Sequence, residues 1–143
     1  MSMNWREMLF TPKGFLMVGG VVLLLVGVLG FFVLNSPSLS FFWLDKSENV
    51  AHTALGIVAL AALYVPGLNS MLQPYYRWIV ILVGLIALFF GLYGFILPAG
   101  DEMHPNTFGL ANLELGDHLL HLVIAAWAFL AAFWGQSKSM MSR

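Results

Sequence analysis

The chain has 143 residues, of which 60% are hydrophobic and only 9% charged, with a formal net charge of −1. A soluble domain is about 45–50% apolar and about 25% charged, and six Lys+Arg with seven Asp+Glu cannot clothe a water-facing surface. This composition excludes a soluble monomer, a disordered chain and a nucleic-acid binder with a basic face. With no cysteine, disulfides, thiolate metal sites and thiol nucleophiles are excluded too.

Four apolar stretches follow in chain order. The first runs from about Gly14 to Leu34 without a charge. At about 1.5 Å per residue it is about 31 Å long, enough for a hydrocarbon core. It is too long for a signal-peptide core and lacks a clean small-residue cleavage site, so it is expected to stay in the mature chain. The second, about Asn49 to Val65, is short and Ala-rich. The third runs from about Tyr75 to Leu97, with Pro74 at a tolerated first-turn position and Pro98 closing it. The fourth runs from about Gly116 to Trp134. None alternates as barrel strands do. The expectation is all-α: a single integral membrane domain over 1–143 with four transmembrane helices.

The charges sort by side. Arg6, Lys13, Arg77, Lys138 and Arg143 fall on one side and Lys46 on the other. The positive-inside rule then makes the chain N-in and C-in, in a bacterial inner membrane. Asp45, Glu48, Asp101, Glu102, Glu114 and Asp117 fall outside, with only Glu7 inside, and His52, His104, His118 and His121 lie in the outer half. Trp5, Tyr75, Tyr76, Trp78 and Trp134 are expected as anchors at the inner boundary and Trp43 at the outer one.

The spans repeat. Gly20, Gly27, Gly30 and Phe31 correspond to Gly84, Gly91, Gly94 and Phe95 at an offset of 64. Glu48, His52, Ala59 and Ala62 correspond to Asp117, His121, Ala128 and Ala131 at an offset of 69. The extra five residues sit in the second outer loop. This predicts two parallel helical-hairpin repeats, about 14–65 and 75–134, related by an axis along the membrane normal. Gly84, Ala87, Gly91 and Gly94 lie on one helix face, as small residues do where helices pack closely in lipid. A homodimer seam or a flat cofactor over the glycines is the alternative reading.

Chemistry is expected at the outer ends of spans two and four. Glu48 and His52, and Asp117 and His121, are four apart, and His118 and His121 three apart, so each pair shares a helix face. Three readings compete. In the first, Ser47, Glu48, Gly116 and Asp117 cap helix starts, and each histidine pairs with the acid before it and bonds across the hairpins. In the second, His52 and His121 are axial ligands of haem b or a chlorophyll-type pigment, with Glu48 and Asp117 behind them and the small-residue face accepting the ring. In the third, His52, His121, His118, Glu48 and Asp117 hold a small metal ion such as Zn or Fe. No His-Glu-x-x-His, Gly-x-Ser-x-Gly or phosphate-binding glycine loop occurs, and no charge lies mid-span. The expectation is therefore no enzyme, but an accessory or structural subunit contacting lipid, other membrane subunits or itself. The loop from Pro98 to Glu114, with Phe108, Leu110 and Leu113, is expected on the membrane surface or against a partner.

At ENVAHTALGIVAL, GDHLLHLVIAAWAF and NTFGLANLELGDHLLHL the chain resembles a bacterial family of small four-helix membrane proteins of unknown function. That family shows an Asp-Asn-x-x-His stretch followed by a Gly-rich apolar helix. Glu48, Asn49, His52 and Gly56 match it in the first half. In the second half Asp117 and His121 match, with His118 in place of the Asn and Ala125 in place of the Gly. The resemblance implies a four-helix membrane fold and no particular activity.

Overall fold

The computed structural model describes residues 4–33, 46–96, 106–107, 111–112 and 115–141. Among these residues, six α-helices carry the fold: α1 Trp5–Phe10, α2 Pro12–Gly30, α3 Lys46–Tyr64, α4 Pro66–Leu72, α5 Tyr76–Ile96 and α6 Leu115–Met141. A 3₁₀ turn, Gln73–Tyr75, joins α4 to α5. Asn106–Thr107 pairs antiparallel with Ala111–Asn112 in a two-residue ladder.

The helix starts have local causes. Asn4 and Glu7 form a reciprocal capping box that opens α1. The Thr11 side chain accepts from the Gly14 N–H, and Pro12 occupies the first position of α2, where its missing donor costs nothing. Gly14 is required where α1 turns into α2, because a Cβ there would run into the main chain of Glu7 and Met8.

Two antiparallel helix pairs follow from close glycine contacts. A Cβ on Gly20 would stand 3.1 Å from the Ala59 Cβ, and one on Gly27 would stand 2.5 Å from the Thr53 nitrogen. Gly30 faces the Asn49 side chain. Rising numbers in α2 thus meet falling numbers in α3. From the other side, a Cβ on Gly56 would stand 2.6 Å from the Leu24 nitrogen. In the second pair Gly84 meets Ala128 and Phe129, and Gly91 meets Leu122. Adding 64 to the α2 residue and 69 to the α3 residue converts Gly20–Ala59 into Gly84–Ala128, Gly20–Leu60 into Gly84–Phe129, and Gly27–Thr53 into Gly91–Leu122. The α2–α3 pair joins the α5–α6 pair through α2, which touches both α5 and α6, while α1 lies against α2 and α6.

The core is asymmetric along the bundle. Phe15, Leu16, Leu63, Tyr76, Val80, Ala128, Ala131 and Ala132 form an apolar cluster at one end. Trp127 closes it over Phe15, ring centroids 4.6 Å apart, and donates its Nε1–H to the Leu9 carbonyl at 2.7 Å, which docks α1. The other end buries polar side chains.

A polar knot ends α3. Helices leave their last carbonyls unbonded, and here three of those near the end of α3 find donors. The Ala61 carbonyl takes the Val65 N–H at 2.9 Å, Ala62 takes the Tyr76 hydroxyl at 2.8 Å, and Leu63 takes the Asn69 side-chain amide at 2.6 Å. Asn69 also donates to the Tyr76 oxygen at 3.1 Å. Tyr76 is therefore buried, not a boundary anchor as the sequence suggested; Trp5, Tyr75, Trp78 and Trp134 are exposed.

Among the described residues, three stretches are long and apolar enough to cross a membrane: Pro12–Gly30, Pro66–Tyr93 and Leu115–Trp134. The expected fourth, α3, falls short because its first two turns hold Lys46, Glu48, Asn49, His52 and Thr53. The helix boundaries also shift. α3 starts at Lys46 rather than near Asn49, and α6 continues to Met141. Trp43, His104, Phe108, Leu110 and Leu113, and the acids Asp45, Asp101, Glu102 and Glu114, lie outside the described residues.

Candidate functional site: the buried polar end of the bundle

The first turns of α3 and α6 place their polar residues at the same end of the bundle. Four of these are nearly inaccessible: Glu48 at 5%, Asn49 at 0%, Asp117 at 2% and His118 at 6% exposure. Apolar solvent or protein interior tolerates such groups only when they are bonded. Glu48, Asn49 and Asp117 each have an interaction partner.

His118 bonds between helices. Its Nδ1 lies 2.9 Å from the Phe90 carbonyl in α5. A carbonyl can only accept, so Nδ1 carries a proton and donates it. The Phe95 ring packs beside it, centroids 5.9 Å apart. His118 thus ties α6 to α5, and it stands at the position that corresponds to Asn49.

His121 and His52 are half-buried. His121 donates from Nδ1 to the Asp117 main-chain carbonyl at 2.7 Å, and its ring lies 5.8 Å from that of Phe90. The acid–histidine pairing expected from the four-residue spacing is thus replaced, at this nitrogen, by a bond to main chain. The reason is local. A helical side chain leans back over the preceding turn, which brings the ring onto the carbonyl four residues earlier. In the first half the corresponding nitrogen, His52 Nδ1, is buried without a hydrogen-bond partner among the described residues, as is Thr53 Oγ1 beside it.

The three chemical readings fare differently against this geometry. For a small metal ion, the described residues hold no group of three His, Asp or Glu side chains able to share one ion. For a haem-type ring, His121 is set up well, since its Nδ1 bond leaves Nε2 available and fixes the ring orientation. The glycine face, however, offers no bed for a macrocycle. Gly20, Gly27, Gly30, Gly84 and Gly91 are all filled by the facing helix. Ala87 is buried, and Gly94 lies within α5.

Sequence reasoning missed the Tyr76–Asn69–Ala62 knot and the bond from Trp127 to Leu9. Both join residues whose proximity depends on how helices dock. Comparison with protein-family models, curated proteins and solved structures returns no match.

Proposed function

We propose that the chain is a non-enzymatic accessory or scaffold subunit of the bacterial inner membrane, with four spans and both termini in the cytoplasm. The observation that carries this reading is the use made of the polar groups. His118, Tyr76, Asn69 and Trp127 all bond to main chain and hold helices together. Many large apolar side chains remain outward: Val21, Leu25, Val58, Leu85, Phe89, Leu130 and Phe133 are exposed. Such faces suit lipid, other membrane subunits or further copies of the chain.

A fourth crossing by α3 is supported by its antiparallel course along α2. At 19 residues it is about 28 Å long, close to the about 30 Å core thickness. The matching contact pairs in α2–α3 and α5–α6 support two parallel hairpin repeats, and five of six basic residues on one side support the orientation. The absence of cysteine makes the test direct. In intact cells, Gln73→Cys should resist a membrane-impermeant thiol reagent and Asn106→Cys should react. On native gels from mild detergent, the chain should run in an assembly larger than one copy. Labelling of Gln73→Cys from outside defeats the topology; a lone monomer from native membranes defeats the subunit reading.

A second reading, a carrier of haem b or a chlorophyll-type pigment on His52 and His121, is favoured by one observation. Among the described residues, the Nδ1 of His52 is buried without a hydrogen-bond partner.

A further inference from the structure

At the opposite end from the histidines, Arg77 sits two residues into α5 between two aromatic rings. Its guanidinium carbon is 5.8 Å from the Trp78 ring centroid and 5.3 Å from that of Phe133 in α6. Its Nε is buried and has no hydrogen-bond partner among the described residues. Glu7, the one acid the sequence assigns to this end, is occupied in the α1 capping box.

A shallow groove of about 610 Å³ begins at Phe133 and is lined by Ala126, Phe129, Leu130, Phe133 and Trp134. From Trp134 to Ala126 it follows α6 for eight residues, about 12 Å, away from the cation and toward mid-span. Its lining is apolar and comes from one face of α6, and Arg77 lies against Phe133 at one end of it.

We propose that Arg77 and this groove bind an anionic phospholipid, with the phosphate on the guanidinium and an acyl chain along α6. The inference rests on the membrane-spanning reading above. A cation at the edge of hydrocarbon needs an acceptor, and the lipid phosphate is the acceptor abundant at that depth. Arginine also presents a planar fork of donors that matches phosphate. A zwitterionic lipid offers the same phosphate but no net charge, so charge sets the preference.

The test is native mass spectrometry of the full chain ejected from nanodiscs of mixed phosphatidylglycerol and phosphatidylcholine. The wild type should retain phosphatidylglycerol about fivefold over phosphatidylcholine. Arg77→Gln should abolish that preference. Ala126→Trp, on an exposed position, should fill the groove and lower retention of either lipid. Arg6→Gln, which removes a cation stacked on exposed Trp5, should leave the preference unchanged, and millimolar inorganic phosphate should not displace the lipid. Equal retention of both lipids, an Arg77→Gln chain that behaves as wild type, full displacement by phosphate, or a second protein copy in the groove would each overturn the proposal. Release of the chain from membranes by alkaline carbonate would instead defeat the membrane-spanning reading, which separates the two failures.

Discussion

The His118 imidazole in α6 donates to the Phe90 carbonyl in α5, 2.9 Å away, and so closes the second helix pair at its polar end. Interhelical side-chain bonds in membranes contribute about 0.6 kcal/mol on average and up to about 1.7 kcal/mol. His118 is nearly fully buried, so His118→Ala should lower stability by about 1 kcal/mol in detergent-induced unfolding. His118→Asn, which installs the residue found at the corresponding position 49, should recover part of the loss. An unchanged unfolding midpoint for His118→Ala would mean that the bond is not structural.

Tyr76→Phe removes one hydroxyl that both donates to Ala62 and accepts from Asn69. A buried carbonyl then loses its partner, at a cost of about 1–2 kcal/mol. Because Asn69 also satisfies the Leu63 carbonyl, Asn69→Ala should destabilise by a similar amount. The double variant should cost less than the two singles together, since all three groups form one network. Strict additivity in thermal unfolding would contradict the network.

Gly27→Ala places a Cβ 2.5 Å from the Thr53 nitrogen, so α2 and α3 must separate. Overpacking of this kind costs about 1–3 kcal/mol. Gly19 is a matched control on the same helix, because a Cβ there meets nothing nearer than 4.0 Å. Gly19→Ala should be neutral or slightly stabilising. Equal thermal midpoints for the two variants would refute the glycine seam between α2 and α3.

The cofactor reading makes its own spectroscopic prediction. Protein purified from its native membrane should show a Soret or pigment band that disappears in the His52→Ala, His121→Ala double variant. A colourless wild type, or a band that survives both substitutions, removes these histidines as ligands.

Much of this fold is written in local pattern. The apolar runs place α2, α5 and the start of α6 to within a few residues, and the recurring glycines point to the helix faces that meet α3 and α6. The Asn4–Glu7 box and the Thr11-Pro12 start are also local signals, although a search for long apolar runs passes over a helix as short as α1. α3 is harder because polar residues in its opening turns dilute its apolar character. At the polar end, the spacing of Asp117 and His121 specifies a shared face and a separation of one turn. It does not specify whether the histidine takes the carboxylate or the carbonyl.

The sequence by itself determined that this chain is made of helices in an apolar environment and where its charges and histidines sit along them. Composition and periodicity are properties of the chain alone. Only the tertiary structure decided which helix each glycine faces, that Tyr76 turns inward to end α3, that His118 bonds to Phe90, and that Arg77 lies against Phe133 of α6. Those relationships join residues up to 118 positions apart, as Trp127 and Leu9 are. They depend on the rotation and depth at which helices dock, which close packing of small residues sets and no single helix encodes.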